Sequence, residues 1–361
     1  MLLCSVMVRC RKQATPESTR SFNMAVTPWP ADFTPAAVDD AYAFINNHCD
    51  MVSHHFDEGV PYEEAYRQLS WPQALLNDVA SRKQKTAAGK KILLSVAPLN
   101  LTRHDKADYY NTPDGISDSI KNYWKGLPVN DPKVVTCYFR YVSYLIDQLH
   151  PQLVNYGVES NGVEWTTGDF NAYTDFLSQV HDLLKQKYPE LPFFVSFMVL
   201  EDPVALARAA ALIPYTDYVG LSSYPYTASS TLDGTTDPAK LPVDFFTRYI
   251  SLAPSKPWGF AETGYIAQDL SLPSFSLARK GTLSWQRDYL NQIFQLCEQK
   301  HGLFLVWFCS ADYDAAVMRM KQMGLYQDLF GLWQDTGFKD ENNSVRPSYQ
   351  LWLQWMDRKF R

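Results

Sequence analysis

The segments Leu-Val-Asn-Tyr-Gly-Val-Glu-Ser-Asn-Gly (153–162) and Lys-Pro-Trp-Gly-Phe-Ala-Glu-Thr-Gly-Tyr (256–265) carry the reading of this chain. Each holds a short apolar run that ends on a glutamate, Glu159 or Glu262, and gives way within two residues to glycine or a small polar residue. That pattern predicts a buried strand emerging into a loop, which is where a parallel barrel keeps its chemistry. A carboxylate there is costly unless it is hydrogen-bonded or put to use. Two of them suggest a pair.

Outward from these segments, short apolar runs alternate with longer stretches of helical period. Strands are predicted at Phe22–Val26, Asp50–His54, Lys91–Ala97, Leu153–Val158, Phe193–Met198, Tyr215–Leu221, Trp258–Glu262 and Leu303–Phe308. Between them Tyr173, Phe176, Leu177, Val180, Leu183 and Leu184 recur at the spacing of one helix face, as do Trp285, Tyr289, Ile293 and Leu296. Thr34-Pro35, Asp131-Pro132 and Asp202-Pro203 read as helix starts, a capping side chain followed by a proline whose missing N–H needs no partner. Eight strands alternating with helices predict a single (β/α)8 TIM barrel over residues 21–361. A doubly wound sheet is the alternative, but no G-x-G-x-x-G follows the first strand and no G-x-x-x-x-G-K-[ST] occurs. The longest loops are expected after the third (Pro98–Asp131), sixth (Ser222–Leu241) and eighth (Cys309–Ser344) strands, on the face that would hold a substrate cleft.

With this numbering Glu159 ends the fourth strand and Glu262 the seventh. In a closed barrel those ends face each other, and two inward carboxyls about 5 Å apart suit a retaining glycosidase. One, protonated, gives its proton to the leaving oxygen; the other, ionised, attacks the anomeric carbon, and their closeness holds the two pKa values apart. The bland alternative is that each glutamate caps a helix or pairs with an arginine.

Composition agrees with such a partner. The chain has 361 residues, 46% of them hydrophobic, enough for one large core. A formal net charge of -6 without any basic stripe argues against a nucleic-acid surface, which needs clustered positive charge. Ten Trp and 22 Tyr are many for this length; most belong to the core, and exposed ones are suited to stack on sugars. The six cysteines are dispersed, without CxxC or His/Cys ligand spacing, so neither a disulfide framework nor a metal site is read from them, and Cys137, Cys297 and Cys309 read as core residues. No cofactor is expected. Residues 1–20 look like a truncated export or lipoprotein signal, with Cys10 as a possible lipid-attachment residue although Arg9 stands where a small residue belongs, or like a disordered leader. An exported protein with a possible lipid anchor is the expectation, and a cytoplasmic one if that stretch is no signal. No other segment is apolar enough to span a bilayer, and a monomer is expected.

The segments Tyr-Gly-Val-Glu-Ser-Asn-Gly-Val-Glu-Trp (156–165), Asp-Tyr-Val-Gly-Leu-Ser-Ser-Tyr-Pro-Tyr (217–226) and Ala-Glu-Thr-Gly-Tyr (261–265) resemble the endo-beta-1,4-galactanases, within the clan of TIM-barrel retaining glycoside hydrolases. Gly-Leu-Trp-Gln-Asp-Thr-Gly (331–337) and Arg-Pro-Ser-Tyr-Gln-Leu-Trp (346–352) are similar to the closing loop and helix of many such enzymes. The resemblance implies Glu159 as general acid/base and Glu262 as nucleophile. It implies Tyr224 as the tyrosine that steadies the nucleophile and Trp307 as the platform under the sugar, with Tyr226 beside them in the same motif. One departure stands out. The clan's Asn-Glu pair, whose amide binds the hydroxyl beside the anomeric carbon, is here Val158-Glu159. Hydrogen bonds to that hydroxyl contribute several kcal/mol in the transition state. Asn155 and Asn161 are the nearby candidates to supply one.

Further candidates for sugar contacts are Trp29 after the first strand, His55 at the end of the second and Asn100 after the third. His54 and His55 point to opposite faces of a strand, which opposes a shared metal. Asp312 and Asp314 bind substrate or cap the next helix, and the acidic loop 340–343 reads as a solvated turn. Together these readings predict a retaining glycosidase acting on an oligo- or polysaccharide, a galactan by the resemblance. The competing reading is a catalytically weak carbohydrate-binding barrel, because of Val158. A metal-dependent barrel hydrolase would need a His/Asp cluster that the sequence hardly offers.

Overall fold

The computed structural model describes residues 19–110 and 115–361. Eight parallel strands follow one another around a closed barrel: β1 Asn23–Val26, β2 Met51–Phe56, β3 Lys91–Val96, β4 Leu153–Gly157, β5 Phe193–Met198, β6 Val219–Ser223, β7 Trp258–Thr263 and β8 Phe304–Trp307, which pairs back onto β1. All eight lie where the apolar runs predicted. The sixth starts four residues later than expected, because Ile213–Tyr215, with Pro214 inside it, forms a 3-10 turn instead.

The helices pack outside. Thr34, Asp131 and Asp202 each accept a backbone N–H at the start of the helices Pro35–His48, Pro132–Leu149 and Pro203–Leu212, as the proline signals predicted. The two periodic stretches become Thr167–Lys187 and Leu283–Lys300. Thr19–Arg20, at the end of the stretch read as a leader, pairs in parallel with Lys359–Phe360, and Arg20 holds Asp50 with two 2.7 Å hydrogen bonds. The possible lipid-attachment Cys10 lies outside the described residues. Cys137, Cys297 and Cys309 are buried.

Strand alternation sorts the side chains into two cores. Ala25, Met51, Leu93, Phe194, Ala261, Phe304 and Val306 form a small cluster inside the barrel. Their neighbours in sequence, such as Val26, Val52, Leu94, Leu305 and Trp307, join the larger cluster between strands and helices. Gly220 and Gly259 make room for the two large inner rings. A Cβ on Gly220 would stand 2.7 Å from the Phe194 ring, and one on Gly259 2.8 Å from the Phe304 ring. Burying each ring contributes roughly 1.5–3 kcal/mol. Above this apolar layer the inward positions turn polar, with Ser53, Ser95, Asn155, Ser196 and Ser222 all nearly fully buried. The chemistry sits on top of that layer.

Candidate active site

The C-terminal strand ends open into a cavity of about 810 Å³. By simple alternation Glu262 would face the helices, because Ala261 before it faces the barrel interior. A register shift in β7 against both neighbours absorbs one extra residue, so that Ser222 pairs with Glu262 directly after Leu221 pairs with Phe260. Bulges re-aim side chains in this way. Glu262 therefore turns into the cavity, while Thr263 resumes the outward direction and meets the Tyr289 hydroxyl at 2.7 Å.

Glu159 is aimed by a different device. It lies two residues past β4 with φ at +52°, a left-handed backbone that costs a non-glycine residue about 1–3 kcal/mol. Its N–H donates to Ser196 Oγ at 3.0 Å, which helps hold the turn. Arg103 Nε donates to Glu159 Oε2 at 2.9 Å and Ser222 Oγ to Oε1 at 2.7 Å. Tyr224, two residues beyond Ser222 and on the same face, donates its hydroxyl to Glu262 Oε1 at 2.5 Å. The end of β6 thus grips one oxygen of each glutamate.

A chain of ion pairs connects the other two oxygens. Glu262 Oε2 lies 3.3 Å from His55 Nδ1, and His55 Nε2 lies 3.6 Å from Asp57 Oδ2, an ion-pair contact too long for a hydrogen bond. Arg103 Nη1 and Nη2 donate to the two oxygens of Asp57 at 3.0 Å each, and Arg103 Nε reaches Glu159. Burial alone would push the His55 ring down, but its contacts with Asp57 and Glu262 outweigh that and raise it to about 10. Burial works against the Glu262 carboxylate too. His55, the Tyr224 hydroxyl and the charge of Arg103 overcome it and hold Glu262 below the usual carboxylate range. Asp57 is held low in the same way, by Arg103 and His55 against burial. A carboxylate kept ionised beside an anomeric carbon is equipped to attack it.

The cavity wall is aromatic. Phe308, one residue past β8, faces it, flanked by Trp29 at 5.9 Å and Trp333 at 6.1 Å between ring centres. Neither indole N–H has a hydrogen-bond partner, although both are buried. Trp333 also stands edge-on to Tyr224 at 5.8 Å. Leu101–His104 after β3 and Ser274–Phe275, from the hairpin Leu270–Leu272 and Leu277–Arg279 after β7, complete the rim. That hairpin was not among the loops expected to shape the cleft.

Of the residues singled out in the sequence, Glu159, Glu262, Trp29, His55 and Tyr224 come together on this cavity. Four others do not. Trp307 points outward, fully buried, with its N–H on Thr336 O and its ring stacked on Phe338 at 5.3 Å. A one-residue step moves a strand side chain to the other face, so Phe308 stands where Trp307 was expected. Tyr226 is buried with its hydroxyl on Leu332 O. The Asn161 amide is spent on Met198 and Ala205 backbone groups. Asn100 turns the loop beneath Arg103, whose Nη1 and N–H both donate to the Asn100 carbonyl. His54 and His55 point to opposite faces, as alternation requires, and His54 meets Thr86 at 3.2 Å on the outside.

Val158 is 3% exposed and outside the cavity wall, and Asn155 donates to Ser196 Oγ at 3.1 Å below the floor. Asp312 is sealed by Arg346, and Gln334 donates to Asp314. Asp57, Arg103, Ser222 and Trp333 were not anticipated. Asp57 carried the same signal as the glutamates, an acid just past an apolar strand, and Ser222 lies two residues before Tyr224 in the most distinctive motif. Nothing local marks Arg103.

The sequence matches no protein-family model and no curated protein. Among solved structures, a GH5 subfamily 18 protein from Streptomyces cattleya, in complex with Manβ1-4GlcNAc, is similar over 93% of this chain and 80% of its own, at 14% identity and TM-score 0.63. The GH53 catalytic domain of Ignisphaera aggregans is similar over 99% of this chain and 100% of its own, at 16% identity and TM-score 0.58. An exo-beta-1,4-mannosidase from Opitutaceae bacterium strain TAV5 is similar over 96% of this chain and 62% of its own, at 12% identity and TM-score 0.58. These neighbours are glycoside hydrolases built on the TIM barrel. At such identities the likeness establishes the (β/α)8 fold and leaves the chemistry to the site.

Proposed function

We propose that the protein is a retaining glycoside hydrolase acting on a β-linked oligo- or polysaccharide, with Glu262 as nucleophile and Glu159 as general acid/base. The observation that carries this reading is the convergence of the two glutamates at the ends of β4 and β7, each gripped by one side chain from the end of β6. Glu262, low in pKa and supported by His55 and Tyr224, attacks the anomeric carbon while Glu159 protonates the leaving oxygen; water, activated by Glu159, then releases the sugar. The aromatic wall of Trp29, Phe308 and Trp333 offers stacking faces for sugar rings. With Val158 turned away, the donors nearest the two carboxylates are Arg103, His55, Ser222 and Tyr224. Galactan is the substrate suggested by the motif resemblance, and β-1,4-mannosyl chains are those suggested by the neighbours' ligands and names.

A panel of β-linked polysaccharides and aryl β-glycosides, assayed with wild type and Glu262→Ala side by side, tests the reading. Expected is release of sugar from at least one substrate by wild type and its loss in the variant. Turnover that survives in Glu262→Ala removes the nucleophile assignment. The carbohydrate-binding alternative is favoured by one observation, that both oxygens of Glu159 already accept hydrogen bonds from Arg103 and Ser222. Binding across the panel without turnover would select it.

A further inference from the structure

The ion-pair chain between the glutamates passes through a single carboxylate. Asp57 faces His55, which contacts Glu262, and it is held bidentately by Arg103, which contacts Glu159. His55 and Asp57 are inward positions two residues apart at the end of β2, whereas Arg103 comes from the loop after β3. That loop is anchored by the Asn100 carbonyl and, like Glu159, by a left-handed residue, since Arg103 has φ at +58°. An isolated surface ion pair contributes little. Here each cation is shared between two carboxylates in a site that is at most about a quarter exposed at any member.

Resting on the reading of Glu262 and Glu159 above, we propose that Asp57 is a positioning residue that couples the nucleophile arm to the acid/base arm. It touches neither sugar nor reacting atoms in this role. It divides its charge between His55 and Arg103 and so sets how firmly each grips its glutamate. The other ionisable groups around the chain are Tyr224, hydrogen-bonded to Glu262 and within reach of the Glu159 charge, Glu58 next to Asp57 with Arg82 and Asp78 near it, and His104 and Glu164 at the rim. Among the described residues none of these is ion-paired to His55 or Arg103.

The sign of the coupling follows from the charges. Without the Asp57 carboxylate the His55 ring loses one of the two contacts that raise it, so it gives up its proton at lower pH. In the acid range where Glu262 titrates His55 stays protonated, so Glu262 keeps its cation, loses a neighbouring negative charge and needs no higher pH to ionise. Removing the Arg103 charge has the opposite effect on His55, because Asp57 is left to His55 alone.

Histidine-labelled wild type, Asp57→Asn and Arg103→Gln are compared by NMR titration, with the His55 signal assigned through His55→Gln. Expected is a His55 midpoint lower by about one pH unit or more in Asp57→Asn, and no lower than wild type in Arg103→Gln. With a cleaved substrate in hand, Asp57→Asn lowers kcat about 10- to 100-fold with little change in KM and leaves the acidic limb of kcat/KM no higher than in wild type. Asp57→Glu, which restores the charge, recovers part of the kcat and of the His55 midpoint. If Asp57→Asn does not fold, Arg103→Gln carries the test, and a fall of its His55 midpoint overturns the coupling. A His55 midpoint unmoved in folded Asp57→Asn overturns it as well. Midpoints that move as expected in a protein that cleaves no glycan leave the coupling standing and bring down the glycosidase reading. Glu262-dependent turnover with an unmoved midpoint does the reverse.

Discussion

Arg346 and Arg103 each grip both oxygens of an aspartate, as Arg20 and Arg319 do elsewhere, and the first two pairs differ in what surrounds them. Arg346 holds Asp312 at 2.8 and 2.5 Å beneath the loop after β8, and its other bonds go to the carbonyls of Asp335 and Gly337. Both side chains of that pair are at most 2% exposed. Arg103 holds Asp57 at 3.0 Å twice, yet its Nε goes on to Glu159 while Asp57 goes on to His55. In the first pair the remaining hydrogen bonds go to backbone groups, and they fix the loop that carries Thr336 and Phe338 against Trp307 and Trp352. The second is open at both ends, and each end is a group proposed to act in the reaction. The same motif serves as a rivet in one place and as a linkage in the other.

The widest separation between the two is expected on stability. Arg346→Ala leaves Asp312 buried without its cation and should cost about 3–5 kcal/mol in chemical denaturation. Arg103→Ala, whose carboxylate partners are 23% and 18% exposed and can be reached by water, should cost about 1–3 kcal/mol while changing turnover far more. Equal stability losses would erase the distinction.

Next in size is Val158→Asn, which introduces the amide of the enzymes that the motifs resemble at a site that is not on the cavity. Burying that amide without a partner should cost about 1–3 kcal/mol and bring no gain in kcat. A rise in turnover would mean that position 158 reaches the sugar after all, and that the open pair is not the whole floor of the site. The smallest effect is expected for Trp333→Ala, which removes a wall ring and leaves both ion-paired networks intact. KM should rise about 3- to 10-fold, the equivalent of roughly 0.5–1.5 kcal/mol of aromatic contact, with the pH profile unchanged.

The barrel was legible because its signal is local and repeated. Each strand is an apolar run, each of three helix starts carries its cap and proline, and the glutamates stand at strand ends. What the sequence hid was direction. Glu262 reaches the cavity through a bulge that alternation does not reveal, and Glu159 through a left-handed turn. Trp307 is a strong platform candidate by residue type, but the parity of β8 sends it outward and puts Phe308 inward. Asn161 and Tyr226 belong to distinctive motifs, yet their polar atoms are consumed by backbone groups of the loops they hold. Arg103 was illegible for another reason. It is 46 residues from Asp57 and 56 from Glu159, so only the closed barrel brings the three together.

The central claim, that Glu262 forms a covalent bond to the sugar, is tested most directly by trapping that bond. Wild-type protein is incubated with 2-deoxy-2-fluoro β-glycosides of the sugar identified by the panel, digested, and mapped by mass spectrometry. Expected is one added glycosyl group on the peptide containing Glu262, absent in Glu262→Ala. Label on Glu159 or any other residue, or rapid glycan turnover with Glu262 never labelled and dispensable, would contradict it.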